Sequence, residues 1–343
     1  MKYNSLLKLV LFGFICAFMA TSCVKEGPMG PAGADGTNGT NGEDGADGQV
    51  TCLACHSGTN MDSKKAEFVM SAHNVGAIAV DYAGGRAACA QCHSHEGFTQ
   101  YAVFGSVLGD ITNPSAWECS TCHGLHKDFE ADYALRLSAA VVSGADKVTV
   151  LDLKGNSNLC ATCHQTRTAE PNKVSPAETF KITNTHYGPH HGPQANLVVG
   201  VGFAEIPGSV QYPAANTSKH LAQASCVGCH MAPFTKSSGG HSFKPNLDAC
   251  NSCHGATNTD FNYHGVQTEV EHYLEQLRDK LVELGVVEYV EADAAYEPVV
   301  GTYPMIQAQA YFNWIGIEED RSLGVHNPPY VKALLINTIE ALQ

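Results

Sequence analysis

The residues with the clearest chemistry are twelve of the 14 cysteines, which form six copies of the pattern Cys-x-x-Cys-His. Two thiols one helical turn apart can form thioethers with the two vinyl groups of a porphyrin, and the following histidine can bind its iron. Disulfides and zinc sites also use paired cysteines, but neither explains a histidine after every pair. The sequence therefore predicts six covalently bound haem c groups. Their thioethers would come from Cys52, Cys55, Cys89, Cys92, Cys119, Cys122, Cys160, Cys163, Cys226, Cys229, Cys250 and Cys253, and their proximal iron ligands would be His56, His93, His123, His164, His230 and His254.

Eleven further histidines exceed the number of sixth ligands that six irons would need. Methionine is a weaker alternative and is scarce, so bis-histidine ligation is expected at most or all sites. His126 follows His123 by three residues on the same helical face, so it could serve only a neighbouring haem. His95 and His264 remain reserve ligands, whereas His272 lies off the apolar seam of a predicted helix and is expected at the surface.

Several stretches of the chain carry a further pattern. They are Cys226-Val-Gly-Cys-His-Met231 with His220 before it and Gly240-His241 after it, Ala310-Tyr-Phe-Asn-Trp314, and Asp320-Arg-Ser-Leu-Gly-Val-His326-Asn-Pro-Pro-Tyr330. Together they resemble multihaem cytochromes related to cytochrome c nitrite reductase, over about residues 50–343. The resemblance implies that distal ligands include His220, His241, His326 and, in Ser71-Ala-His73-Asn, His73. Among His186, His190 and His191, we favour His190. The predicted distal ligands are therefore His73, His126, His190, His220, His241 and His326.

One feature of that family is missing from the sequence. Cytochrome c nitrite reductases carry one C-x-x-C-K motif, whose lysine binds a haem that is open to substrate. All six motifs here end in histidine. No catalytic residue is therefore predicted, and an electron carrier is expected rather than an enzyme.

The first 49 residues predict export and anchoring. Residues 1–22 have the basic start and apolar run of a signal peptide, and small residues precede Cys23, as in a bacterial lipoprotein signal. Cys23 would then carry the lipid, although an ordinary signal peptide that contains a cysteine is the alternative. Residues 23–49 form a spacer with glycine at every third position from 27 to 48. With two prolines in the tract, a flexible polar spacer is favoured over a collagen triple helix.

The remaining chain must position the motifs. A six-haem core over residues 50–265 has too little polypeptide for an apolar core around each haem, so short helices and loops are expected to wrap the porphyrins. Residues 266–343 predict a C-terminal helical region that packs on this core. Its helices are predicted at 266–284, 305–319 and 328–342, with Asn327 as the N-cap of the third helix. The fold class is thus mostly α with extensive loops, a multihaem cytochrome c with a haem-built core.

The formal net charge of −14 excludes a nucleic-acid binder. The favoured function is electron transfer through closely packed bis-His haems at the outer membrane or cell surface. Partners would be other multihaem cytochromes, a porin–cytochrome conduit or an extracellular acceptor, with homo-oligomers or filaments as a further possibility. The alternative is a multihaem reductase of a nitrogen or sulfur oxyanion with one five-coordinate haem. A collagen-like adhesin that merely carries haem is a third hypothesis.

Overall fold

The computed structural model of the chain describes residues 58–124, 134–255 and 258–343. Several predicted features lie outside these residues: the predicted signal peptide, the predicted lipidation site Cys23, the predicted glycine spacer, the first motif with Cys52, Cys55 and His56, and the distal candidate His126. Within the described residues, no helix combines the length and the hydropathy that a membrane span needs.

Short helices carry the five described motifs. In chain order the helices before residue 256 are α1 Gly58–Val69, α2 Ala72–Val75, α3 Ala77–Ala79, α4 Ala87–His93, α5 His95–Phe104, α6 Cys119–Cys122, α7 Ser157–Ala161, α8 Pro171–Val174, α9 Gln194–Val199, α10 Lys219–Gln223, α11 Ser225–His230 and α12 Leu247–His254. A π-helical turn, Val80–Gly84, follows α3, and 3-10 turns occupy Gly240–Ser242 and Tyr263–Gly265. The histidines of the second, fifth and sixth motifs end their helices, whereas His123 follows α6 with extended backbone and His164 lies three residues beyond the end of α7.

Side-chain caps and one close approach fix where these helices start. Asn246 accepts a hydrogen bond from the backbone N–H of Ala249 at 3.0 Å at the start of α12. Ser94 accepts one from the backbone N–H of Gly97 at 3.1 Å at the start of α5. Gly97 also allows α5 to approach α4, because a Cβ there would lie 2.3 Å from the carbonyl oxygen of Ala90. The second motif is thereby held in a tight helical corner.

Three small antiparallel sheets, each of two strands, were not predicted from the sequence. The strands are β1 Val141–Val142, β2 Val150–Leu151, β3 Thr179–Ile182, β4 Val287–Val290, β5 Ala295–Pro298 and β6 Gly301–Pro304. They pair as β1 with β2, β3 with β6, and β4 with β5. The pair β3–β6 joins residues far apart in the chain, with Ile182 opposite Gly301. It therefore ties the long interval between the fourth and fifth motifs to the C-terminal region.

Three longer helices form the C-terminal region, as predicted. They are α13 Val266–Glu283, α14 Met305–Asp320 and α15 Pro328–Ala341. The fifth residue of the predicted seam, Leu284, follows the last residue of α13 and is only partly buried, whereas the other four are buried: Val270, Leu274, Leu277 and Leu281. Each such side chain contributes about 1.5–3 kcal/mol as an upper estimate. The β4–β5 hairpin fills the connection between α13 and α14.

Asn327 occupies the N-cap position of α15, as predicted, but its side chain has another role. It makes no capping hydrogen bond. Instead its Nδ2 donates to the backbone carbonyl of Leu197 at 3.0 Å, which links the start of α15 to α9. Pro328 at the first helical position has no N–H, so this helix start needs fewer capping acceptors.

The apolar core lies mainly with the C-terminal helices. The larger buried cluster centres on α13, α14 and α15 and includes Ile182, Leu197 and Phe203 from the motif region. The smaller cluster contains seven buried residues around Leu151, Leu153 and Leu221. The described chain is mostly α with extensive loops, which confirms the predicted fold class.

Candidate haem-binding cavity

One cavity brings the described motifs together. Its volume is about 2530 Å³, more than twice the upper end of ordinary small-molecule pockets at about 1,000 Å³. All ten described motif cysteines and all five described motif histidines line it. The five described distal candidates line it as well: His73, His190, His220, His241 and His326.

Each described motif histidine faces one of the distal candidates. The ring-centre separations are 5.9 Å for His93 with His190, 6.2 Å for His123 with His241, 6.0 Å for His164 with His73, 6.3 Å for His230 with His326, and 6.0 Å for His254 with His220. A metal bound to two imidazoles at about 2.0 Å, with about 1.2 Å from each nitrogen to its ring centre, would separate the ring centres by about 6.4 Å. The five pairs thus have the spacing that two axial ligands of one iron require.

The pairs differ in how their ring planes are oriented. The interplanar angle is 33° for His123 with His241 and 29° for His230 with His326. It lies between 73° and 89° for the other three pairs. Two near-parallel and three near-perpendicular pairs are therefore present in the described part of the chain.

The fourth motif contacts two other motifs directly. The Cys92 thiol lies 3.8 Å from the carbonyl oxygen of Thr162, and the Cys163 thiol lies 3.9 Å from that of Gln91. On its other side, the backbone N–H of Val227 donates to Ser157 Oγ at 3.2 Å. The second, fourth and fifth motifs are therefore neighbours in space.

Phe243 connects three of the histidine pairs. Its ring centre lies 5.0 Å from that of His73 and 5.9 Å from that of His241. Its backbone carbonyl accepts a hydrogen bond from His230 Nδ1 at 2.8 Å. No sequence pattern indicated Phe243, because its role depends on contacts between segments far apart in the chain.

Burial keeps most paired histidines neutral. Desolvation, with a smaller contribution from His164, lowers the pKa of His73 to about 4. Desolvation, followed by repulsion from His191, Arg167 and His93, lowers the pKa of His190 to about 4. The neutral imidazole is the form that binds a metal, so these shifts favour ligation.

Several paired histidines have their Nδ1 atoms engaged by other groups. His220 Nδ1 donates to the carbonyl of Val325 at 2.7 Å, and His164 Nδ1 lies 3.2 Å from Gln194 Oε1. Such bonds fix the ring orientation and leave Nε2 available for iron.

His326 differs from these residues, because its Nδ1 lies 2.6 Å from Asp320 Oδ1. Burial lowers the pKa of His326, but the charge of Asp320 and its hydrogen bond together raise that pKa above its ordinary value. Asp320 was not among the predicted site residues, although it lies six residues before His326 in a stretch that the sequence analysis singled out.

The remaining described histidines lie apart from the motif imidazoles. His191 forms an ion pair with Glu319 at 2.6 Å, and 74% of its side chain is exposed. His95 Nδ1 is 2.7 Å from Thr121 Oγ1. His186 and His264 are exposed, and so is His272, as expected from its place off the helix seam. Among the three clustered candidates His186, His190 and His191, it is His190 that faces a motif histidine.

The donor set fits haem better than the alternatives. None of the ten described cysteines forms a disulfide. Within residues 58–124, 134–255 and 258–343, no three side chains of His, Cys, Asp or Glu converge as a metal site. A zinc site would need about four protein ligands, whereas the iron of a haem needs only two beyond the porphyrin. The cavity, the thiols at its wall and the facing imidazoles together fit covalently attached haem.

The chain was compared with known proteins. No family model matches it, and no curated protein sequence is similar to it. Among solved structures, the crystal structure of the outer cell wall cytochrome OcwA is similar, with a TM-score of 0.53 and 19% sequence identity. The match covers 82% of this chain and 50% of that structure, so the chain spans about half its length. At this identity the similarity shows a shared fold.

Proposed function

We propose that this protein is a hexahaem c-type cytochrome that transfers electrons between closely spaced bis-His haems at the cell surface. One observation carries the proposal. Every described motif histidine faces a second histidine, with ring centres 5.9–6.3 Å apart. If both histidines of each pair bind one iron, the described sites would leave substrate no open position there. A cofactor with no open position can still exchange electrons.

The haems would supply reversible one-electron exchange, and the chain's own residues would do the rest. The motif cysteines would hold the porphyrins, and the paired imidazoles would bind the iron. Contacts between motifs, such as that of Cys92 with Thr162, keep neighbouring haems close. Desolvation lowers the pKa of His73 and of His190, which favours the neutral imidazole that an iron would bind.

The location at the cell surface and the partners are part of the same proposal. Cys23 would be lipidated, and residues 23–49 would space the haem region from the outer membrane. The name of the similar structure, an outer cell wall cytochrome, supports a surface location. Electrons would pass to or from other multihaem cytochromes, a porin–cytochrome conduit or an extracellular acceptor.

Labelling of the protein with radioactive palmitate tests the predicted lipidation of Cys23. The label should be lost in Cys23→Ser and retained in Cys16→Ser.

Mass spectrometry and electron paramagnetic resonance of the purified holoprotein test the proposal. The mass should show six haems, and all irons should be low spin. Near-perpendicular imidazole planes leave the iron orbitals nearly degenerate and give highly anisotropic signals, whereas near-parallel planes give rhombic ones. The described pairs predict three haems of the first kind and two of the second. A high-spin ferric signal from one haem would instead favour the oxyanion reductase.

A further inference from the structure

Asp320 is a buried carboxylate at the end of α14. Its side chain has no exposed area, and its Oδ1 accepts a hydrogen bond from His326 Nδ1 at 2.6 Å. Its Oδ2 accepts a hydrogen bond from Ser322 Oγ. No lysine or arginine of the described residues forms an ion pair with it, so its one ion-pair partner there is the imidazole of His326.

Neutral groups take this position beside other paired histidines. The acceptor is the carbonyl of Val325 for His220 and the carbonyl of Phe243 for His230. The partner of His164 is the side-chain amide of Gln194. A carbonyl or amide polarises an imidazole less than a full charge does.

Glu67 is the closest parallel, and it differs in two respects. Its Oε2 lies 3.6 Å from His241 Nδ1, which is beyond a hydrogen bond, and accepts instead from the backbone N–H of His241 at 2.9 Å. Its other oxygen pairs with Lys64 at 2.7 Å, which offsets the charge. Glu67 therefore provides a natural control for Asp320.

We infer that Asp320 is a positioning residue that makes the haem of the fifth motif, held by His230 and His326, the hardest to reduce among the five described. This inference rests on the proposed function. A carboxylate that accepts the Nδ1 proton makes Nε2 a stronger electron donor to the metal. It also places a negative charge near the iron at low dielectric, which stabilises the ferric over the ferrous state.

The position of this haem gives the inference a consequence for electron flow. The fifth motif contacts the fourth through Val227 and Ser157. Its helix α11 also contacts α12, which carries the sixth motif. The haem of the fifth motif, which is reduced last, would therefore lie between the haems of the fourth and sixth motifs, which are reduced earlier. It would slow electron transfer between those two haems.

Spectroelectrochemical titration of the holoprotein tests the role of Asp320. In Asp320→Asn, the midpoint potential of one haem should rise, while the others keep theirs and all remain low spin by electron paramagnetic resonance. In Glu67→Gln, the matched control, any shift should be clearly smaller. Unchanged potentials in Asp320→Asn with all haems low spin would overturn the inference and leave the proposed function intact. An equal shift of all haems would also overturn it.

Ser322→Ala provides a second test in case Asp320→Asn displaces His326 or fails to fold. It keeps the carboxylate but removes the hydroxyl that donates to Oδ2, so more negative charge should remain on the atoms facing His326. The same haem should then shift to a lower potential, opposite in sign to the change in Asp320→Asn. An unchanged or raised potential in Ser322→Ala would overturn the inference. If the wild-type protein instead contains a high-spin haem, the proposed function fails first.

Discussion

The C-terminal helices pack Leu277, Tyr311 and Leu334 so that at most 1% of any of them is exposed, whereas the five described motifs surround a cavity of about 2530 Å³. The first region has an ordinary apolar core. The motif region has a small cluster of seven buried residues, and thiols and imidazoles line its cavity. The difference supports the proposal that haems would fill the core of the motif region, whereas the C-terminal region forms its core from its own side chains.

The largest effect should come from removing haem. A chain produced without covalent haem attachment would lack the groups that fill the cavity, so the motif region should not keep its fold. Hydrogen exchange should show little protection over α4–α12 and persistent protection over α13–α15. The matched control is the holoprotein in the same buffer. Equal protection of the two regions in the haem-free chain would contradict the claim that only the motif region needs haem to fold.

A cavity in the C-terminal core should have the next largest effect. Leu277 is fully buried on α13, and Leu277→Ala should lower the free energy of unfolding by about 2–5 kcal/mol. Val282→Ala, on the exposed side of the same helix, should have an effect within about 0.5 kcal/mol. Chemical denaturation of the holoprotein measures both. The low-spin haem spectrum should be unchanged in the folded Leu277→Ala variant.

Removal of one paired histidine should act on spin state rather than on the apolar core. His190→Ala should leave the iron at His93 with one imidazole, so one haem should become high spin in its optical and paramagnetic spectra. His191→Ala and His186→Ala are matched controls, since neither side chain faces a motif histidine in the structure. A high-spin haem in either control, with His190→Ala unchanged, would reassign the ligand.

The smallest expected effect concerns an ion pair between the two regions. The hydrogen bond to Glu319 on α14 raises the pKa of His191. A raised pKa in the folded state means that the pair stabilises the protein below the unfolded pKa of about 6.5 and loses this effect as the pH rises through the folded value. His191→Gln should therefore cost about 0.2–1 kcal/mol at pH 5.5 and nothing at pH 9. Thermal unfolding at the two pH values, with wild type as reference, measures it.

The sequence predicted the elements that depend on local patterns. The apolar spacing of α13 and the Pro328 start of α15 located the C-terminal helices to within two residues. The three small sheets were missed, because strands as short as Val141–Val142 have no periodicity and β3–β6 pairs distant segments. Asn327 was assigned to the right position, but its bond to Leu197 depends on tertiary contact.

The candidate site shows the same division. The cysteines and motif histidines follow from spacing alone, and the resemblance to a known family indicated His73, His220, His241 and His326. Which distal residue faces which motif could not be predicted, because partners are up to 118 residues apart, as with His123 and His241. Asp320 and Phe243 were missed for the same reason, because their roles depend on tertiary contacts with the paired histidines. The ligand assignments themselves stay predictions.

The order of the paired histidines along the chain has a consequence for maturation. His73 precedes His164, so a growing chain would already contain both imidazoles of that pair when the fourth motif is made. His230 instead faces His326, 96 residues further along the chain. A variant truncated within α14 would therefore lack the imidazole that faces His230.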